Sequence, residues 1–153
     1  MAISDRLAEL GIELTAATTP GGLYKPAVQT GNLVYVSGQI NLAGRELTAG
    51  GKLGRELSLE EGRTAARQCG LNCLAAAAGL LGSLDRVVRV VRLTGYVASA
   101  EGFTQQPQVV NAASELFRDV FGDDGVGSRL ALGVAELPRG AAVEVDVILE
   151  VSG

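Results

Sequence analysis

Two charged side chains towards the end of the chain are of the types that could bind and transform a small acid. Arg129 begins a predicted strand and is followed by the apolar run 130–132, so its guanidinium is expected at the edge of the core. Glu144 stands between two valines of the next predicted strand. A guanidinium fork matches a carboxylate through two parallel hydrogen bonds, and a glutamate can hold a water or move a proton. Taken alone, each residue is as easily a surface side chain with no chemical role.

The chain contains no histidine, which limits the acids and bases available near neutral pH. Proton transfer must then use carboxylates, tyrosine, a backbone group or water, so a histidine-dependent hydrolase or ribonuclease mechanism is excluded. Cys69 and Cys73 lie one helical turn apart, but no second cysteine pair completes a tetrahedral metal site. We therefore predict that both cysteines pack in the core and that the protein uses no metal and no cofactor.

The charge balance indicates which partners to expect. The 153 residues fit one domain and carry 13 Lys and Arg against 17 Asp and Glu, a net charge of −4, which argues against binding nucleic acid. No basic segment followed by an apolar core opens the chain, and the most apolar stretch, 71–81, is far shorter than the ~20 residues of a membrane span. We expect a cytoplasmic protein with no membrane or nucleic-acid partner.

Two long helices are predicted from their start and stop signals. Ser58 and the glutamate three residues later have the spacing of a capping box, and small apolar residues recur at helical spacing until Gly82. Pro107 suits the first turn of a second helix, which Gly122 ends. A short helix capped by Ser4 belongs to a peripheral N-terminal extension, residues 1–20, and the chain is expected to turn at 18–22.

Several strands are predicted from apolar, β-branched runs. They cover residues 33–36, 87–97, 129–137 and 142–151, and the glycines from Gly44 to Gly54 indicate a hairpin or excursion at a sheet edge. If the Pro138–Gly140 turn is tight, the last two strands are neighbours, and Arg129 and Glu144 share one face about 13 Å apart. At that separation, Arg129 and Glu144 of one chain are not expected to contact the same small molecule.

These elements predict a single α/β (α+β) domain over residues 1–153. A mixed β-sheet carries the two long helices on one face, and its other apolar face must also be covered. Self-association through the sheet or a barrel-like closure would both cover it.

Four segments of the sequence, in order along the chain, resemble the RidA (YjgF-like) reactive-intermediate deaminases, also called the L-PSP endoribonuclease family. The resemblance spans roughly Tyr24 to Glu150. The last segment is the most specific, because it places an arginine, a Leu-Pro turn and a glutamate in one register. The matching segments are Tyr24, Gly31–Ile40, Val110–Ala112 and Ser128–Val145.

The resemblance implies a chorismate-mutase-like fold, a homotrimer with three clefts between subunits, and hydrolysis of enamine or imine acids to 2-keto acids and ammonia. It also implies roles for particular residues. Arg129 would grip the carboxylate of a small substrate, Glu144 would hold the attacking water, and Tyr24 would line the cleft. By the same resemblance, Ser37 and Gly38 would contact the substrate, and Asn111 would support the site.

One departure from the family's pattern lies beside the arginine. Ala131 stands where the best-studied members often have a cysteine, so a thiol contact to the substrate is missing. A noncatalytic trimer that binds or senses small carboxylates would use the same arginine and is the alternative function. An endoribonuclease or translation inhibitor is a third reading, which the acidic composition and the missing histidines disfavour.

Overall fold

The computed structural model describes residues 1–17 and 19–153. Its helices and strands are α1 (Ile3–Glu9), β1 (Ala27–Thr30), β2 (Leu33–Ile40), β3 (Leu42–Ala43), β4 (Glu46–Leu47), α2 (Leu59–Leu81), β5 (Val87–Ala98), α3 (Gln106–Phe121), β6 (Ser128–Val134) and β7 (Val143–Val151). The main sheet has the order β1-β2-β7-β5-β6, and only β5 and β6 pair in parallel. The predicted α+β domain with a mixed sheet is confirmed.

The two long helices begin and end where the sequence predicts. The Ser58 hydroxyl accepts a hydrogen bond from the Glu61 backbone N–H at 3.2 Å, and the Glu61 carboxylate accepts one from the Ser58 N–H at 3.0 Å. Gly82 ends α2 in the left-handed conformation, with φ of 81°. Pro107 lies in the first turn of α3, where its missing N–H costs no hydrogen bond.

The core lies between the sheet and these helices, with α2 packed on β2 and β7 and α3 packed on β5 and β6. A Cβ at Gly95 of β5 would collide with Val110 of α3, so this glycine permits close packing of the helix on the sheet. Cys69 and Cys73 are fully buried, as predicted. The same face of β7 supplies every second residue to the core: Val143, Val145, Val147, Leu149 and Val151.

The N-terminal segment differs from the prediction at Ser4. Helix α1 begins at Ile3, so Ser4 lies inside the helix and is not its N-cap. Its N–H and hydroxyl instead bond the Asp85 carboxylate, at 3.0 and 3.3 Å, and Arg6 donates to the backbone carbonyl of Asp119 at 2.8 Å. These contacts fix α1 to the body of the domain. The turn expected at 18–22 begins at Thr18, which lies outside the described residues.

The expected pairing of the last two strands is wrong, because β5 lies between β6 and β7. Strand β6 ends at Val134, before the predicted boundary, and the chain then passes the end of β5 before entering β7. Ser99, just after β5, donates to Val134 on one side, while Ala98 donates to Ala142 on the other. Pro138–Gly140 form a 3₁₀ turn within this crossing and not a tight hairpin.

The edge elements were only partly predicted. Strand β1 was not expected, and β2 extends four residues beyond the predicted end at Val36. A hairpin is present at the start of the region predicted from Gly44–Gly54, as the pair β3 and β4. The buried amide of Asn41 connects this hairpin to β7, because it donates to Thr48 at 2.9 Å and accepts from the Ala142 N–H at 3.2 Å.

The face of the sheet opposite the helices, here called the open face, exposes large apolar side chains. Tyr35, Leu130 and Leu132 are 46%, 40% and 41% exposed. Such a surface on a small domain indicates a contact with another molecule. In the described part of the chain, each helix is too short or too polar to cross a lipid bilayer.

Candidate functional site

Arg129 lies in a concavity of about 330 Å³ at the end of α3 and the start of β6. It pairs with Leu93 of β5, which is buried, so Arg129 points to the helix-covered face of the sheet. Its Nη1 donates to Asn111 Oδ1 at 2.6 Å and to Ser114 Oγ at 3.2 Å. Asn111 and Ser114 are one helical turn apart, so α3 orients the guanidinium.

The guanidinium of Arg129 has no carboxylate partner within 4.0 Å among residues 1–17 and 19–153. Its hydrogen bonds go to two neutral groups, which leave its positive charge uncompensated while fixing its direction. A half-buried, oriented and unpaired arginine is the arrangement that suits an incoming carboxylate. Ala131, two residues further along β6, is half-buried on the same face and presents only a methyl group.

Glu144 lies in a second concavity, of about 340 Å³, on the opposite face of the sheet. It pairs with Tyr96 of β5 on one side and with Ile40 of β2 on the other. Strand β2 has an irregular register between Val36 and Gln39, and a Cβ at Gly38 in this bulge would overlap the Glu144 carboxylate. Gly38 therefore makes the space that this carboxylate occupies.

Tyr24 lines the same concavity, and Ser37 supports the chain segment beside it. The Ser37 hydroxyl donates to the Lys25 carbonyl at 2.6 Å, and its N–H donates to the Pro26 carbonyl at 2.8 Å. These bonds fix the segment that carries Tyr24, whose ring is half exposed and lines the concavity beside Glu144. Arg139 lines it too, in the left-handed conformation with φ of 59°. No local sequence pattern marks Arg139 as a lining residue, because its place in the concavity depends on the path of the crossing segment.

The structure thus separates Arg129 from Glu144 in one protomer, and the expectation that they share a face is wrong. Arg129 pairs with Leu93, whereas Glu144 pairs with Tyr96, three positions further along β5. An odd offset along a strand moves a side chain to the other face. Arg129 and Asn111 line one concavity, and Tyr24, Gly38 and Glu144 line the other.

The Glu144 carboxyl has a neighbour that the sequence did not single out. Asp146 lies two residues further along β7, on the same open face, and accepts a hydrogen bond from the Tyr96 hydroxyl at 3.2 Å. Burial, and next the charge of Asp146, raise the pKa of Glu144 above its usual value. Burial also raises the pKa of Asp146 and that of Tyr96. The sequence pattern that could have revealed this pair is the placement of two acidic residues two positions apart on one face of β7.

The cysteines contribute no reactive group to either concavity. Burial raises the pKa of both thiols well above the usual value, and each donates weakly to a backbone carbonyl of β7 at 3.3 Å. Within the described ranges 1–17 and 19–153, no three histidine, cysteine, aspartate or glutamate residues are grouped so that they could hold a metal ion. The candidate chemistry therefore lies with arginine, carboxylate and tyrosine side chains.

These features define a class of protein: a histidine-free α+β domain whose sheet presents an oriented arginine on one face and a half-buried glutamate on the other. The sequence profile of the family described as endoribonuclease L-PSP matches residues 14–151. The chain belongs to this family, and the predicted resemblance to the RidA proteins is confirmed.

Three relatives illustrate the range of the family around this chain. Protein TCP17 of Trypanosoma cruzi is 44% identical over 98% of this chain and 94% of its own length. A 2-iminobutanoate/2-iminopropanoate deaminase of Dermatophagoides farinae is 30% identical over 90% of this chain and 93% of its own length. The crystal structure of a protein of unknown function from Agrobacterium tumefaciens superposes with a TM-score of 0.90, at 39% identity, covering 98% of this chain and 92% of that one.

Proposed function

We propose that this protein is a deaminase that hydrolyses small imine or enamine acids, of the 2-iminobutanoate and 2-aminoacrylate type, to 2-keto acids and ammonia. The observation that carries the proposal is the Arg129 guanidinium, which Asn111 and Ser114 orient and which no carboxylate neutralises within the described chain. The deaminase of Dermatophagoides farinae supports the same reaction, since its similarity covers 90% of this chain.

The proposal includes a homotrimer, in a chorismate-mutase-like arrangement, with one site in each cleft between subunits. Two observations support it. Arg129 and Glu144 lie on opposite faces of one sheet, so one protomer cannot present both to one small molecule. The open face also exposes Tyr35, Leu130 and Leu132, which a second copy of the chain would cover. Arg129 of one protomer would then meet the partner's Glu144.

The reaction needs only modest help, because an imine acid hydrolyses in water unaided. Arg129 holds the substrate carboxylate, and Glu144 takes a proton from the water whose oxygen attacks the imine carbon. The same proton is delivered to nitrogen, and a second transfer from the new hydroxyl releases ammonia and leaves the keto group. Positioned acid–base catalysis of 10²–10⁴-fold, about 3–5 kcal/mol, is sufficient for this role. Tyr24, Ser37 and Gly38 enclose the reacting group, without metal or cofactor.

The test generates imine acids in place, with an amino-acid oxidase or a dehydratase, and follows keto-acid and ammonia formation with and without this protein. We expect faster release of ammonia at catalytic concentrations of the protein. Saturable binding of keto acids without any turnover would instead identify a carboxylate sensor. Sedimentation equilibrium tests the assembly separately, and a particle near the monomer mass of 15.7 kDa at micromolar concentration would rule out the trimer.

A further inference from the structure

Two carboxyl groups lie side by side on the open face of β7. Glu144 and Asp146 are separated by one core residue, Val145, so both side chains point the same way about 7 Å apart along the strand. Strand β5 places Tyr96 opposite Glu144 and Thr94 opposite Asp146. Both carboxyl groups are only half-buried, so neither is a core residue.

The two carboxyl groups have unequal surroundings. Asp146 accepts a hydrogen bond from the Tyr96 hydroxyl at 3.2 Å, and Thr94, opposite it on β5, and the positive charge of Arg92 also act to lower its pKa. Glu144 has no hydrogen-bond donor to its carboxylate within residues 1–17 and 19–153. All three groups that favour a carboxylate anion thus act on Asp146, although Tyr96 pairs directly with Glu144 along the sheet.

We propose that Asp146 is a positioning residue for Glu144: Tyr96, Thr94 and Arg92 fix Asp146 as the permanent anion of the pair, so that Glu144 is the carboxyl that takes up and releases the proton during turnover. This inference rests on the proposed function for the turnover step alone. The division of roles between the two carboxyl groups rests on their contacts.

The electrostatics of the pair agree with this division. Burial raises the pKa of both groups, but the Tyr96, Arg92 and Thr94 contacts lower that of Asp146, whereas the Asp146 charge raises that of Glu144 further. The first proton of the coupled pair therefore leaves Asp146 and the second leaves Glu144. A carboxyl with a raised pKa is a stronger base near neutral pH than an ordinary glutamate.

The other elements around Glu144 do not change this assignment. Strand β2 faces it with Gly38 and Ile40, which carry no charge, and β6 places the apolar Leu130 and Leu132 opposite Thr94 and Tyr96. Tyr24 and Arg139 line the Glu144 concavity, but the pKa of Glu144 is raised by burial and by the charge of Asp146. On β5 the charged or titratable groups are Arg89, Arg92 and Tyr96; Arg89 pairs with Glu150 at 3.2 Å, and the other two act on Asp146.

A direct titration separates this inference from the proposed function. Carboxyl-carbon NMR of the whole protein is recorded against pH, and the Glu144 resonance is assigned as the one lost in Glu144→Gln. In Asp146→Asn the Glu144 midpoint should move to lower pH, and Asp146→Glu should restore it. Glu150→Gln is the control, because Glu150 lies on the same face of β7 and pairs with Arg89 at 3.2 Å. It should leave the Glu144 midpoint in place.

The pH profile of imine-acid hydrolysis reports the same relationship during turnover. With Glu144 as the base, the acid limb of kcat/KM should move to lower pH in Asp146→Asn, with a lower plateau, and should stay in place in Glu150→Gln. Tyr96→Phe, which removes a single hydroxyl, should move the limb in the same direction as Asp146→Asn. A Glu144 midpoint that is unchanged in Asp146→Asn overturns the inference whether or not the protein is a deaminase. A shifted midpoint in a protein without hydrolase activity confirms the pairing of the two carboxyl groups and rejects only the proposed reaction.

Discussion

The carboxylate of Glu144 occupies the space that a side chain at position 38 would fill. The two residues belong to different strands, and the bulge in β2 between Val36 and Gln39 brings the Gly38 backbone against the glutamate. A glycine within a strand usually lowers stability, because its backbone loses more conformational entropy on folding and it buries no side chain. Here the same glycine determines where the Glu144 carboxylate can lie.

We expect Gly38→Ala to reduce activity far more than it reduces stability. The added methyl would meet the flexible end of the Glu144 side chain, which can move aside without disturbing the strands. The displaced carboxylate would no longer hold the attacking water, so kcat should fall towards the value of Glu144→Gln, on the order of 10²-fold. Steady-state kinetics and thermal unfolding together measure the two effects.

Gly79→Ala is the matched control for this substitution. Gly79 lies in α2 far from both concavities, and the nearest atom to an added Cβ, at 4.0 Å, is Ala17 Cβ. Alanine in a helix is favoured over glycine by up to about 1 kcal/mol, so this variant should be as stable as the parent or more so, with unchanged kinetics. Equal activity of Gly38→Ala and the parent would show that the position of Glu144 does not matter.

Arg129→Lys should keep the fold and the charge but lose substrate binding. A lysine ammonium is a point charge without the planar fork, so it cannot hold Asn111 and a carboxylate in fixed directions at once. Loss of a charged hydrogen bond of about 1.5–3 kcal/mol lowers kcat/KM by roughly ten- to hundredfold. Arg129→Ala should lose more activity, with a change in unfolding free energy of at most about 1–2 kcal/mol.

Arg89→Lys provides the comparison for the arginine variants. Arg89 is exposed on β5 and pairs with Glu150 at 3.2 Å, so lysine can replace it with little effect on stability or kinetics. If Arg129→Lys hydrolyses imine acids at the parental rate, Arg129 does not bind the substrate carboxylate as a fork.

The dependence of stability on pH should differ in sign between two glutamates. The pKa of Glu144 is raised in the folded protein, so the folded state holds this proton more tightly, and stability is lost as pH rises from about 4, the unfolded value, through the folded-state pKa. Glu144→Gln removes this loss and should raise Tm relative to the parent in alkaline but not in acidic buffer. Backbone hydrogen bonding from Ser58 lowers the pKa of Glu61, so its contribution is present above the unfolded value and disappears in acid.

Glu61→Gln should therefore lower Tm at neutral pH, with a difference that narrows as the parent itself is acidified. Thermal unfolding of the parent and both variants across a pH series checks the two signs. Shifts of the same sign in both variants at alkaline pH would contradict the assigned environment of Glu144.

The sequence predicted local features well and long-range pairing poorly. The capping box at Ser58, the start of α3 at Pro107 and the alternation of β7 depend on neighbouring residues, and all are present. The partner of β6 depends on a contact between strands more than thirty residues apart, and proximity in sequence favoured the wrong neighbour. That single error placed Arg129 on the wrong face relative to Glu144.

The same limit applies to the candidate site. Arg129 and Glu144 were found from residue type and family resemblance, but Asp146 looked like any outward polar residue of an alternating strand. Its pairing with Tyr96 follows from the register of β5 against β7, which no local pattern encodes. The choice between a site within one protomer and a site between protomers likewise required the faces of both strands.

A mixing experiment tests the shared site most directly. Arg129→Ala and Glu144→Gln are each expected to be nearly inactive, because every cleft of the proposed homotrimer would then lack either the arginine or the glutamate. If each site combines Arg129 of one protomer with the partner's Glu144, co-refolding the two variants creates clefts in which a Glu144→Gln protomer supplies the arginine and an Arg129→Ala protomer supplies the glutamate. Random assembly from equal amounts makes about one cleft in four complete, so activity should recover to roughly a quarter of the parent's.

The recovery must depend on subunit exchange and on the identity of the two changes. Mixing without refolding should give no recovery until protomers exchange, and mixing Arg129→Ala with Arg129→Lys should give none at all, because the resulting clefts carry no intact arginine. A double variant carrying both Arg129→Ala and Glu144→Gln, co-refolded with the parent, should form complete clefts only between parental protomers, again about one in four. Absence of recovery in the first mixture, with heterotrimers verified by native mass spectrometry, would mean that Arg129 and Glu144 do not act in one cleft and would remove the structural basis of the proposed deaminase.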